Sequence, residues 1–177
     1  MIHSLVPSTD PILKEPIGQF DFNNPPTDPI LLAHDLAETM IANNGLGLSA
    51  NQIGLPYRAF AVMAEKIIVF FNPKIVDYSE ETIYMEEGCL SYPNLFIKVK
   101  RPQKIKIRYT EPNGNTVTKT FNGLTARVIQ HEYDHMEGVV HLQRANRIHK
   151  EQAMKNMKLG KIPKVKTNYI DKLGLYA

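Results

Sequence analysis

His131, Glu132 and His135 stand in the pattern H-E-x-x-H, within His131-Glu132-Tyr133-Asp134-His135. On a helix, residues four apart lie one turn apart on one face, so both imidazoles can reach a single metal ion. Glu132, beside the first of them, sits where a carboxylate can take a proton from water held on that ion. Two buried histidines satisfied by ordinary hydrogen bonds would leave the same pattern, so the motif alone leaves both readings open. A catalytic site of this kind needs a third protein ligand and an open position. The candidate is Cys89, the only thiol, in Glu86-Glu87-Gly88-Cys89-Leu90-Ser91-Tyr92-Pro93. A lone cysteine is otherwise a small buried hydrophobe. Here Gly88 precedes it and a proline-containing loop follows, a place where backbone can come close to a ligand.

A third segment, Gly45-Leu46-Gly47-Leu48-Ser49-Ala50-Asn51-Gln52, joins small residues to one amide side chain. It is no phosphate-binding loop, because no Lys-Ser/Thr pair follows it and no strand precedes it. It suits the wall of a cleft, with Gln52 aiming a donor at a substrate oxygen. The glycines are equally what a helix end and a turn require.

The elements that must position these residues read as follows. Met1 to Pro26 is proline-rich and is expected to wrap the surface as extended chain. Thr27-Asp28-Pro29 is a helix start, with Thr27 as the N-cap. Leu32, Leu36 and Met40 recur on one face, and Asn43-Asn44-Gly45 ends the helix. From Arg58 to Phe121 the pattern turns to short strands. Ala59–Ala64 and Ile67–Phe71 flank Glu65-Lys66 as a tight hairpin. Ile105, Ile107 and Tyr109 alternate with charged residues, Asn113-Gly114 marks a hairpin turn, and Val117, Lys119 and Phe121 return. A helix from Leu124 to Met136, closed by Gly138, is apolar on more than one side and should be buried among the strands. A polar helix over Asn146 to Leu159 follows. This order predicts an α+β fold: one domain of short antiparallel or mixed sheets packed around the buried central helix that carries H-E-x-x-H, with a helix in the N-terminal half and another at the C-terminus.

At 177 residues the chain has the length of one domain, and 43% hydrophobic against 22% charged residues excludes a disordered one. A single cysteine rules out an intrachain disulfide and fits a reducing compartment. The first residues lack both the basic start and the apolar run of a signal peptide, and no stretch reaches the length of a membrane span; a cytoplasmic location is expected. The net charge of +3 is uneven: from Arg144 onward nine Lys or Arg face two acids, leaving twelve basic and sixteen acidic residues before it. An acidic body thus carries a basic tail over 144–177, either a solvated face or a nucleic-acid contact.

The three segments together resemble the peptide deformylase family, whose pattern runs G-x-G-x-[AS]-A-x-Q, then E-G-C-L-S, then Q-H-E-x-D-H. All three occur in that order, at Gly45 to Gln52, Glu87 to Ser91 and Gln130 to His135, and Asp10-Pro11-Ile12-Leu13-Lys14 is similar to the family's N-terminal D-P-x-L-R/K. The resemblance spans roughly Asp10 to Arg144. It implies that Cys89, His131 and His135 hold one divalent metal with water as fourth ligand. Glu132 would be general base and then acid, and Gln52 and the backbone N–H of Leu90 would stabilise the oxyanion. It implies removal of the N-formyl group from the initiator methionine of nascent chains, with oxidation-sensitive Fe2+ as the natural ion and Zn2+, Ni2+ or Co2+ as substitutes. Leu46, Leu124 and Val128 are then candidates for the methionine pocket, with Gly45, Gly47 and Gly88 beside the substrate; plain core packing is the alternative. Glu87 is expected to pair with Arg101, and Asp134 to orient a ligand. Tyr92 departs from the aliphatic residue frequent in the family, and the stretch between Gln52 and Glu86 is short. Some bacterial members dock a C-terminal helix on the ribosome, for which Arg147, Lys150, Lys155, Lys158, Lys161, Lys164 and Lys166 are available; neither DNA nor membrane is an expected partner. The competing functions are another H-E-x-x-H metallopeptidase, which would lack the Cys89 ligand, and a noncatalytic ribosome-binding relative, which would have lost one of the reactive residues.

Overall fold

The computed structural model describes residues 1–162. Helix α1 (Pro29–Ala42) starts one residue later than the sequence predicts, because Asp28, not Thr27, is its N-cap: the carboxylate accepts from the amides of Ile30 at 2.8 Å and Leu31 at 3.3 Å. A carboxylate at this end also suits the helix dipole. Strands β1 (Gly47–Ser49), β2 (Ala59–Met63), β3 (Ile67–Tyr78), β4 (Thr82–Cys89), β5 (Tyr92–Pro102), β6 (Lys104–Thr110) and β7 (Thr116–Asn122) follow, then α2 (Gly123–Met136) and α3 (Arg147–Lys158). Short 3₁₀ turns stand at Pro11–Lys14, Ala50–Ile53 and His141–Arg144.

Five strands form one sheet in the order β1-β2-β3-β6-β7, and β4 and β5 form a separate hairpin. The fold is α+β, but its described sheets are wholly antiparallel rather than mixed, and two strands are long. Strand β3 runs on to Tyr78 because Asn72, at φ 47°, makes an irregularity after Phe71 instead of ending the strand. Its side chain accepts from the Phe20 amide at 2.7 Å and donates to the Phe20 carbonyl at 2.8 Å. The N-terminal segment does run over the surface, with most of its residues at least partly exposed, but Leu13, Ile17 and Phe20 are buried as anchors and a 3₁₀ turn interrupts it. The β4–β5 hairpin hides its periodicity because the inward positions of β4 include Glu87 and Cys89 rather than an apolar row.

One core fills the space between α1, the N-terminal segment and β1–β3; another lies between the large sheet and α2; a small third joins β5 to α3. Helix α2 is buried over most of its length, His131, Glu132, Asp134 and His135 included. Gly138 closes it at φ 69°, where a Cβ would meet the Lys14 carbonyl carbon at 2.6 Å, so the N-terminal segment docks against this helix end. No helix among the described residues is long and apolar enough to cross a membrane. Of the basic tail, Arg144 to Ile162 is described, whereas Lys164 and Lys166 lie outside the described residues.

Candidate metal and hydrolytic site

Antiparallel pairing of β4 with β5 brings Cys89 opposite Tyr92 at the closed end of the hairpin, and a register irregularity after Glu87 precedes it. This end lies against α2. The sulfur of Cys89 and one ring nitrogen from each of His131 and His135 lie within 4.8 Å of one another, with Sγ 3.4 Å from His135 Nε2. All three residues are buried.

Behind them lies a chain of buried charge. Glu87 Oε2 lies 3.2 Å from His131 Nδ1, which leaves the other ring nitrogen for the cluster. Arg101 donates to both oxygens of Glu87, and Arg127 donates to Oε1 at 3.1 Å. Arg127 also donates to the carbonyls of Val99 at 2.8 Å and Ile83 at 2.6 Å, tying both hairpin strands to α2. Asp134 accepts from Arg101 at 2.8 Å and from Arg144 at 2.8 and 3.0 Å. Glu87, rather than Asp134, is thus the carboxylate that touches a donor imidazole. Asp134, three positions along α2 from His131, is instead taken up by Arg101 and Arg144.

The buried groups around the cluster are shifted in opposite directions. Burial opposes charge on His131, yet hydrogen bonds to Cys89 and Glu87 hold its pKa well above the ordinary value. Burial, with His131 nearby, holds His135 well below. Burial also opposes ionisation of Glu87, but His131 and Arg101 outweigh it and keep the carboxyl far below the usual range. Glu132 is less well compensated: burial pushes it up to about 7, against the pull of His131 and a hydrogen bond from Ser49. Its Oε2 is buried without a hydrogen-bond partner. One thiolate and two imidazoles, backed by a carboxylate, form a donor set suited to Zn2+, Fe2+, Co2+ or Ni2+.

The opposite wall is built from Gly45 to Gln52. A Cβ on Gly47 would lie 2.8 Å from the carboxyl carbon of Glu132, and one on Gly45 would lie 2.8 Å from Leu90 Cδ1. Glycine is required by close approach here, not by φ. Gln52 is buried; its Oε1 accepts from the Ser49 amide at 3.0 Å, and its Nε2 donates to Ser91 Oγ at 3.0 Å and faces Cys89 Sγ at 3.6 Å. Between the walls lies a cavity of about 130 Å³. Leu46, Leu124 and Val128 give it an apolar side, Gly45, Gly47 and Gly88 narrow it, and Cys89, Leu90, His131 and Glu132 border it.

A model of the family described as polypeptide deformylase matches residues 2–151. The chain belongs to the peptide deformylase family. Deformylases are metal-dependent hydrolases that act on the N-formyl group of nascent polypeptides. A peptide deformylase of Pseudothermotoga lettingae is 43% identical over 131 residues, covering 74% of this chain and 75% of that one. Among solved structures, a peptide deformylase from Synechococcus elongatus in complex with actinonin superimposes with a TM-score of 0.80 at 27% identity, covering 91% of this chain and 90% of that one. A mutant of Arabidopsis thaliana peptide deformylase 1B gives 0.80 at 30% identity, covering 97% and 94%.

Within this deformylase fold, several residues beyond the sequence reading belong to the site. Arg127 had a signal, since it precedes His131 by four positions on the same face of α2. Ser49 and Ser91 lie inside segments already singled out. Phe96, packed with its ring 2.6 Å from where a Gly88 Cβ would stand, lines the cavity without any local mark in the sequence. His141 is buried, with its ring 5.6 Å from that of His131 and Nε2 donating to the Leu95 carbonyl at 3.2 Å. Burial, then His131, lowers its pKa to about 4. Tyr92, the departure from the family pattern, is not part of the cavity wall: its hydroxyl reaches the Ser8 carbonyl at 3.4 Å.

Proposed function

We propose that this chain hydrolyses the formamide bond of N-formylmethionyl peptides, with Cys89, His131 and His135 holding one divalent metal ion. The observation that carries this reading is the Glu132 carboxylate, buried with one oxygen unpartnered and bordering the same cavity as Cys89 and His131. When bound, the ion supplies a Lewis acid that brings the pKa of water toward neutrality. Fe2+ is the ion the resemblance points to, and the thiolate–imidazole donors accept Zn2+, Ni2+ and Co2+ as well.

The remaining work belongs to side chains. Glu132, with its pKa raised to about 7, takes a proton from the attacking water near neutral pH. As the formyl carbon–nitrogen bond breaks, Glu132 returns that proton to the departing amine, leaving formate and a free N-terminus. Gln52 Nε2 and the Leu90 backbone N–H donate to the formyl oxygen as it gains negative charge. Glu87 keeps His131 in the tautomer whose other nitrogen serves the ion. Leu46, Leu124 and Val128 receive the apolar methionine side chain. We extend the reading to a ribosomal contact through Arg147, Lys150, Lys155, Lys158 and Lys161, which would be salt-dependent.

Formate release from formyl-Met-Ala, with metal content measured on the same samples, tests the assignment. Glu132→Ala should keep the metal and lose at least about 10³-fold in turnover. Retained turnover would remove Glu132 from the reaction.

A further inference from the structure

We propose that Ser91 is a positioning residue: its hydroxyl holds the Gln52 amide so that one N–H faces the reacting formyl oxygen. The inference rests on the reading of Gln52 as an oxyanion donor. A carboxamide has a donating and an accepting end, and only the nitrogen end can stabilise an oxygen that is gaining negative charge. In this chain the choice is settled by neighbours. The Ser49 backbone N–H can only donate, and it lies 3.0 Å from Gln52 Oε1. The Ser49 hydroxyl stands 3.0 Å from the same oxygen and 2.8 Å from Asn51 Oδ1.

The oxygen end is thereby taken, and the nitrogen end must look toward Cys89. Its two N–H bonds lie in one plane at a set angle, so tying one of them aims the other. Ser91 Oγ accepts at 3.0 Å, while the remaining direction leads to Cys89 Sγ at 3.6 Å, a contact long enough to give way to a substrate oxygen. Ser49, Gln52 and Ser91 are all buried, so water does not stand in for a lost partner. Ser91 also lies two residues from Cys89 in the same turn between β4 and β5. One short turn therefore delivers both a metal-binding thiol and the group that aims the oxyanion donor. Without the hydroxyl, the ties to Ser49 hold only the oxygen end, and the nitrogen end is left free to twist away from the direction that serves the formyl oxygen.

The test is a cycle of Ser91→Ala, Gln52→Ala and the double variant in the full-length, metal-loaded protein, measured as formate release from formyl-Met-Ala. Metal per chain and Tm are read alongside. Ser91→Ala alone is expected to lower kcat about fivefold to tenfold, with KM, metal content and Tm unchanged. In the Gln52→Ala background the same change is expected to have no further effect, because its only route to the reaction has been removed. An equal loss in both backgrounds would overturn the inference, as would unchanged kcat in Ser91→Ala or loss of metal from it, which would place Ser91 in support of Cys89 instead. Undiminished turnover in Gln52→Ala alone overturns the reading of Gln52, and the inference with it.

Discussion

Across the cavity, the wall made by α2 and the β4–β5 hairpin is dense in buried charge, whereas the facing wall from Gly45 to Gln52 carries none. Glu87, Arg101, Arg127 and Asp134 hold the first wall through ion pairs that converge on His131. Ser49, Asn51, Gln52 and Ser91 hold the second through neutral hydrogen bonds, and glycines let it come within contact distance of Glu132. The two constructions fail differently. A buried ionic network strands its remaining members when one is deleted. A wall of small residues has no charge to strand and yields instead to added volume.

The largest effect should come from the charged wall. Glu87→Ala leaves Arg101 and Arg127 without their shared carboxylate and His131 Nδ1 without an acceptor. We expect a loss of about 3–5 kcal/mol in denaturant unfolding and about 10–100-fold weaker metal binding in a competition titration. A change below about 1 kcal/mol would mean that packing, not charge, holds this wall. Gly47→Ala probes the other wall. Its Cβ would press on the Glu132 carboxyl carbon at 2.8 Å. Turnover should fall about 10²-fold, as an ångström of misplacement can do, while stability drops by only about 1–3 kcal/mol. Gly45→Ala meets the end of the Leu90 side chain, which can swing aside, and the Gly47 carbonyl oxygen at 3.1 Å, away from Glu132, so its effect on formate release should be clearly smaller. The reverse order would break the contrast between the two positions. Arg144→Ala should have the smallest effect: its side chain is 48% exposed and Asp134 keeps Arg101. Less than about 1 kcal/mol of stability should be lost, and a larger loss would extend the charged wall out to the surface.

Much of the site was legible because its parts are local. The spacing of His131 and His135 on α2 is a property of the helix, and the Asn113-Gly114 turn sets the β6–β7 pairing. Burial of α2 followed from apolar residues on more than one side. The errors have equally specific causes. The N-terminal segment does lie on the surface, but its three buried anchors, Leu13, Ile17 and Phe20, went unread because they are too widely spaced for either helical or strand periodicity. Thr27 and Asp28 are both good caps, and geometry chose the second. Asp134 and Glu87 are both carboxylates near a ligand in sequence, but only Glu87 contacts His131, whereas Asp134 pairs with Arg101 and Arg144.

The sequence by itself determined the donors, their helical spacing, the glycine-rich wall and the family, since each is written in a window of a few residues. The tertiary structure alone decided that Cys89 meets the two histidines, that Glu87 rather than Asp134 backs His131, and which end of the Gln52 amide faces Cys89. The physical reason is one of range. Helix spacing and turn chemistry are short-range preferences of the backbone, whereas strand register, burial and the pairing of charges out of water depend on residues 33 to 84 positions apart meeting at once.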